Sequence, residues 1–255
     1  MAVDYHVHSL GHGDRNHTLS ELRPFIHKAA ELGLKDIGFA DHDIYLDHIN
    51  FENYEQLKKE YNHLNIRVGL EFDYFPQSVD EIDKIIQEHD FDYTIGSVHF
   101  LGEWNFDHPD YMEQYKRWNL EDFYIEYFQT VLSCVESGLF NIVGHIDLAK
   151  VFNYRLEQTK VLKMVGPVLD TVKLQGMAIE INVGGLYKPV NEIYPSVDII
   201  KMAVERGIPL AISSDAHRYE DVGRDNEMIV RLLKELGVKW VAGFDKMQMV
   251  EVPLE

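Results

Sequence analysis

The sequence predicts a parallel α/β fold closed into a barrel, and three observations carry that expectation. Short apolar runs alternate with longer amphipathic segments along the 255 residues, the rhythm of strand–helix units rather than of hairpins. Nearly every short run ends in a polar, ligand-type side chain. A barrel gathers such ends on one rim, whereas an open sheet spreads them along an edge. Finally, no Gly-x-Gly-x-x-Gly follows the first run and no Walker loop occurs anywhere, which removes the common nucleotide-binding open sheets.

The predicted strands cover residues 3–8, 36–41, 67–72, 93–99, 141–147, 178–183, 209–215 and 238–243. In the first, Val3, Tyr5 and Val7 alternate with polar residues. Residues two apart on a strand share a face, so His6 and His8 leave on the same side near the strand's end. Helices are expected at about 18–32, 54–64, 79–89, 120–137, 157–175, 196–206 and 226–236. The first has an apolar stripe of Leu22, Ile26, Ala29 and Ala30, a capping box Thr18-x-x-Glu21 and a stop at Gly33. Pro24 conflicts with it, implying a kink or a start nearer Arg23.

Composition narrows the partners. Twenty-four Lys and Arg against 43 Asp and Glu leave a net charge of −19, which repels nucleic acid and anionic membrane. It would repel a phosphate ester too, unless bound divalent cations reverse the local field. No apolar run approaches a membrane span, and the opening MAVDYHVH is polar by residue 4, unlike a signal segment. The single Cys134 excludes an internal disulfide and fits a reducing, cytoplasmic setting. Its helical surroundings of Tyr127, Phe128, Val131 and Val135 mark a buried structural thiol, not a nucleophile.

The strand ends carry His6, His8, Asp41, His42, Glu71, His99, His145, Asp147, Asp215 and His217. Imidazoles mixed with a few carboxylates suit Zn, Mn or Fe; Ca and Mg favour oxygen alone. The set exceeds what one ion needs, so two or three divalent ions are expected, with Glu71 or Asp215 able to bridge. Such a cluster acidifies bound water into a hydroxide nucleophile and clamps phosphoryl oxygens, so no nucleophilic side chain is required. Ser213 and Ser214 read as structural.

The segments D-x-H-x-H at Asp4, His6 and His8, ADH at 40–42, GLE at 69–71, SVH at 97–99, GHID at 144–147 and SDAH at 214–217 resemble, in order and spacing, the polymerase-and-histidinol-phosphatase (PHP) superfamily. SVHFLGEWNFD, GHIDLAK and IEINVGGLYKPVNEIYPS are similar to its monofunctional histidinol-phosphatase branch. The resemblance covers almost the whole chain. It implies one domain over 1–255, a distorted TIM-like barrel of seven βα units and a trinuclear site at the C-terminal rim. The segment 238–243 then becomes a peripheral closing strand.

Carried over by motif, His6, His8, Glu71 and Asp215 hold one ion, and Glu71, His99 and His145 a second. His42, His217 and a histidine from the loop after His8 hold the third. Counting back from Gly33-Leu34 favours His17 for that loop position, which implies an insertion after His8. His12 competes, because the branch often shows Gly-His there; otherwise it is a leaving-group acid or a surface residue. His27, His48, His63, His89 and His108 read as structural or solvated. Asp41 and Asp147 are candidate acceptors behind the ligands, and Asp147 could equally cap the following turn. Arg15, Lys150, Arg155, Lys188 and Arg218 flank the motifs; Arg155, Lys188 and Arg218 are the expected substrate contacts. One departure bears on the substrate: Tyr187 stands where the branch often has an Arg in S-G-L-R-K.

The leading expectation is a metal-dependent phosphomonoesterase releasing phosphate from L-histidinol phosphate. The second keeps the architecture but acts on another phosphomonoester, a phosphodiester or a nucleotide. The third is a metal-stabilised binding domain without turnover. A metal-dependent amide hydrolase is more distant, because neither a barrel Asp base nor a carboxylated Lys pattern is evident.

Overall fold

The computed structural model of the chain describes residues 3–254. Seven parallel strands form one sheet: β1 (Val3–Val7), β2 (Asp36–Phe39), β3 (Asn65–Asp73), β4 (Tyr93–Ser97), β7 (Ile142–Val143), β8 (Ala178–Asn182) and β9 (Leu210–Ser213), in that order. The sheet curls until its edges meet. The His8 amide donates to the Ala216 carbonyl at 2.8 Å, the Ala216 amide donates to the His6 carbonyl at 3.3 Å, and Val7 and Ala216 form a parallel bridge. The backbone that closes the barrel therefore belongs to the same strand ends that carry the predicted ligands.

Helices α1 (Leu19–Glu31), α2 (Phe51–Glu60), α3 (Val79–Glu88), α4 (Leu120–Glu136), α5 (Gln158–Gln175), α6 (Val197–Glu205) and α7 (Asn226–Glu235) fall on the seven predicted segments. α2 starts three residues earlier than expected, because the Asn50 side chain accepts from the Glu52 amide and caps it. α1 runs through Pro24; buried Leu22, Phe25, Ile26 and Ala29 hold it against the propensity cost. The stop at Gly33 holds: its φ is +65°, and the Gly33 and Leu34 amides donate back to Ala30 and Ala29. The capping box does not form as expected. Thr18 occupies the N-cap, but its hydroxyl reaches the Glu21 carboxylate at 3.4 Å and caps no amide.

Two predicted strands change. Of 141–147 only Ile142 and Val143 pair. At Gly144 the chain passes so close to β4 that an added Cβ would lie 2.2 Å from the Ser97 hydroxyl. The segment 238–243 lies outside the barrel sheet, as the peripheral reading expects. It enters β10 (Trp240–Asp245), which pairs antiparallel with β11 (Gln248–Pro253). Phe244 packs its ring 5.4 Å from Tyr5 and 5.8 Å from Tyr93, and its amide donates to the Tyr5 hydroxyl at 2.8 Å. The Met247 amide donates to the carbonyl of Asp92, just before β4, at 2.8 Å. The hairpin thus seals the N-terminal mouth and leaves the opposite rim to the histidines. A second small hairpin, β5 (Phe100–Leu101) with β6 (Trp104–Asn105), follows β4 on that rim. Among the described residues no helix is long and apolar enough to cross a membrane.

Candidate metal centre

The rim is organised around one carboxylate. Glu71 is 1% exposed on β3. Its Oε2 lies 3.2 Å from His6 Nε2, 3.6 Å from His8 Nε2 and 3.0 Å from His42 Nδ1. Its Oε1 lies 3.6 Å from His99 Nε2 and 3.2 Å from His145 Nε2. Five imidazoles from β1 and the turns after β1, β2, β4 and β7 thus divide between the two oxygens. His8 Nε2 also sits 3.3 Å from Asp215 Oδ1. Asp215 adopts the left-handed φ of +55° just past β9, and Asn182 donates to its Oδ2 at 3.2 Å. The His217 ring stacks on His8 at 4.1 Å, and His8 stacks on His42 at 4.5 Å.

Two carboxylates that sequence reasoning missed hold ligand rings from behind. Glu180 on β8 is fully buried; its Oε1 lies 2.6 Å from His6 Nδ1 and its Oε2 accepts the His145 amide at 2.6 Å. Asp73 Oδ1 pairs with His99 Nδ1. Both had a readable signal. Asp73 shares the face of Glu71 two residues on, and Glu180 is a lone charge inside the apolar run AIEIN, where an unpaired carboxylate would be costly. The expected acceptors do other work. Asp41 takes the Ser9 hydroxyl at 2.6 Å and the Leu10 amide at 2.7 Å, fixing the loop after β1. Asp147 pairs with Lys150 at 2.8 Å and accepts the Ser196 amide at 2.9 Å.

The loop histidine needs correction. His17 lies apart from the cluster: its Nδ1 accepts the Asn50 amide at 3.2 Å and its ring meets Tyr54 edge-on at 4.6 Å. His12 instead lies against His217, ring centroids 4.2 Å apart. Gly11 and Gly13, at φ +62° and +76°, turn the chain so that His12 faces back over the rim.

The electrostatics match a divalent site. Burial would push the Glu71 carboxyl up, but His6, His42 and His99 outweigh it and hold it well below the usual range. Asp215 is likewise held ionised against burial, through its bond to His8. Burial, reinforced by neighbouring imidazoles, lowers His8 strongly and His217 to about 4. Burial would lower His6, His42 and His99 as well, but the carboxylates beside them, Glu71 with Glu180 and Asp73, outweigh it and raise all three, so a divalent ion would displace their protons as it binds. Several ligand-type atoms are also buried with no hydrogen-bond partner: His6 Nε2, both nitrogens of His8, Glu71 Oε1 and His145 Nδ1 in the cluster, and His17 Nε2 in the loop after β1. Orphaned atoms of this kind call for a further group. The triads His6–His8–Glu71, His42–Glu71–His99 and His8–His42–His217 each bring three ligand atoms within 4.8 Å of one another.

The expected substrate contacts are spread around the rim. Arg155 is paired with Glu192 at 2.7 Å and with the Val190 carbonyl. Arg218 is exposed beside Glu220. Lys188 is exposed and lies within electrostatic reach of His12. Lys150 is buried and tied to Asp147 and Glu192. Arg15 donates to the His217 carbonyl and so fastens the loop to the rim. Tyr187 is 60% exposed, and its hydroxyl is committed to Asp225 at 2.6 Å. Arg224, which sequence reasoning missed, lies 4.2 Å over the Tyr187 ring and donates to the Ser214 carbonyl.

Comparisons with known proteins converge on one family. The PHP domain model matches residues 4–184. A probable histidinol-phosphatase of Deinococcus radiodurans is 39% identical over 178 residues, covering 70% of this chain and 67% of that protein. The histidinol-phosphatase of Bacillus subtilis is 29% identical over 259 residues, covering 86% and 95%. The crystal structure of a histidinol phosphate phosphatase from Lactococcus lactis, complexed with zinc, L-histidinol and phosphate, superposes with a TM-score of 0.83 over 98% of each chain at 23% identity. That last likeness is one of fold.

Proposed function

The chain belongs to the PHP domain family, and on that premise we propose that it is a metal-dependent phosphomonoesterase that releases phosphate from L-histidinol phosphate. The observation that carries the proposal is the division of the Glu71 carboxylate between two groups of imidazoles, His6, His8 and His42 on one oxygen and His99 and His145 on the other. In this reading His6, His8, Glu71 and Asp215 hold one ion, and Glu71, His99 and His145 hold a second. His42, His217 and His12 hold a third, with His12 taking the place expected of His17. Zn, Mn and Fe all suit this nitrogen–oxygen set. Bound divalent ions supply Lewis acidity, which acidifies water near neutral pH and offsets the charge of the phosphoryl oxygens.

The chain's own residues bind and orient. Glu180 and Asp73 fix the rings of His6 and His99, so each presents the nitrogen that faces Glu71. Lys188 is exposed and within electrostatic reach of His12, a position from which it can meet a phosphoryl oxygen. Ser214 Oγ is held by Asp4, and Cys134 is buried in α4 with its thiol pushed up by that burial, so neither is poised as a nucleophile. The whole described chain is read as one hydrolase domain, because the β10–β11 hairpin packs its aromatic ring into the barrel.

The test is phosphate release from L-histidinol phosphate by protein reconstituted with Zn or Mn, set against a panel of other phosphomonoesters. A kcat/KM at or above roughly 10⁴ M⁻¹s⁻¹ for L-histidinol phosphate alone is expected. A better rate on another ester favours the second reading, a phosphatase of the same chemistry with a different substrate. The motive for that reading is Tyr187, which brings no positive charge and whose hydroxyl is bound to Asp225.

A further inference from the structure

Beside the His99–His145 half of the cluster lies a group of polar atoms that the fold itself leaves unsatisfied. The Phe106 amide donates to the His99 carbonyl at 3.1 Å, which sets Asp107 directly beside that ligand. Asp107 is half-buried and makes no hydrogen bond or ion pair among the described residues. Tyr194 presents its ring edge-on to His145, centroids 6.2 Å apart. Tyr194 is 1% exposed and Tyr115 6% exposed. Neither hydroxyl has a partner, nor has the buried Asn105 Oδ1 two residues before Asp107. The charge of Asp107 reaches His99, Tyr115 and Tyr194 alike. Lys150, 5.4 Å over the Tyr194 ring, does not neutralise it, being taken by Asp147 and Glu192.

We propose that Asp107, with the hydroxyls of Tyr194 and Tyr115, forms a subsite for a cationic, hydrogen-bond-donating leaving group. Three arguments support it. Buried polar atoms without partners are rare in folded proteins and mark places where a ligand supplies the missing bonds. A free carboxylate with acceptor oxygens around it selects a cation and rejects a second anion. Its position also gives the rim a polarity: the phosphoryl end of the substrate meets the metal cluster, and the positive end meets Asp107. The inference rests on the phosphomonoesterase reading and adds to it the feature of the ester that is recognised.

The experiment compares 2-aminoethyl phosphate with ethyl phosphate, esters that differ by one ammonium. Each serves as substrate and as competitor of p-nitrophenyl phosphate hydrolysis, with wild type, Asp107→Asn and Tyr194→Phe, all metal-reconstituted and assayed for bound metal. The wild type should prefer the amine by on the order of tenfold or more, as a charged hydrogen bond implies. Asp107→Asn should bring the ratio near one, and Tyr194→Phe should reduce it by about threefold. Both constants come from one preparation, so any loss of metal cancels in the ratio. A wild type without preference, or an Asp107→Asn ratio equal to that of wild type, overturns the subsite. Failure to cleave L-histidinol phosphate while the amine preference and its loss in Asp107→Asn persist overturns the proposed substrate and leaves the subsite standing.

Discussion

Replacing Glu180 by Gln tests whether ligand rings are aimed from behind. The carboxylate is fully buried and accepts two bonds of 2.6 Å, from the His6 ring and the His145 amide. An amide of the same shape has one acceptor and one donor, so it cannot serve both. If its oxygen faces His6, its NH₂ meets the His145 N–H and two donors are left opposed. If its NH₂ faces His6 Nδ1, that nitrogen must accept. The proton then moves to Nε2, the atom 3.2 Å from Glu71, and ligation at that atom is blocked. Either arrangement leaves one buried group unpaired, a cost of about 1–3 kcal/mol. Expressed at the site, that is roughly a 10–100-fold loss of metal affinity. The assay is activity against free metal concentration, set with a chelator buffer, with bound metal counted in parallel. The half-saturating metal concentration should rise 10–100-fold, while kcat at saturating metal returns to within about fivefold of wild type. A metal titration that superimposes on wild type would show that His6 needs no help from Glu180, and the orientation argument would fail.

Glu71→Gln removes the charge shared by five imidazoles. Activity should fall roughly a thousandfold, about 4 kcal/mol, with loss of bound metal; retention within about tenfold would refute the bridging role. His12→Ala should lower the number of metal ions bound per chain. His17→Ala should leave that number unchanged and cost about 1–3 kcal/mol of stability through the lost Asn50 bond. If neither changes the metal count, the third site is misassigned. Phe244→Ala should lower unfolding stability by about 3–5 kcal/mol, read from urea titrations, because the ring is fully buried between Tyr5 and Tyr93. A loss below about 1 kcal/mol would mean that the hairpin does not seal the barrel. Inorganic phosphate should bind the metal-loaded protein and not the chelator-treated protein in calorimetry, since divalent ions supply the positive charge that clamps phosphoryl oxygens. Equal binding in both states would contradict a metal-held phosphoryl group.

The barrel and the gathering of strand-end histidines and carboxylates on its rim were legible for one physical reason. Parallel strands are buried on both faces, so a histidine or carboxylate at their ends stands out against an apolar run, and closure brings all the ends together. Seven strand–helix units were read in order, with the largest shifts at α2 and β7. The errors fall where local pattern says little. The eighth apolar run, 238–243, has the composition of a barrel strand. What makes it a hairpin is the turn at Lys246 and Met247, both at positive φ, and its pairing with a segment that was not read as a strand. Glu180 is the harder of the two carboxylates to read, because a carboxylate inside a strand is normally assigned to a solvent face. β8 has no solvent face: all five of its residues are buried. A charge there had to be paired, and it is paired with the His6 ring across the barrel and the His145 amide after β7.

The placement of His12, rather than His17, beside His217 has a different reason. Counting back from the end of α1 assumes that the loop is spent evenly along its length. Here the first half is folded tightly by Gly11 and Gly13, while the second half runs down to α2, where Asn53 donates to the His17 carbonyl at 2.6 Å. Linear distance from His8 therefore says nothing about spatial distance from the rim. The sequence held a better signal in the glycines themselves. A histidine between two glycines, with an Asp after the second, sits on a turn that can reverse the chain, and a reversed chain is what returns a side chain to the strand end it has just left. A loop ligand near a strand end is better sought at the nearest turn-forming pair than at a fixed count from the following helix.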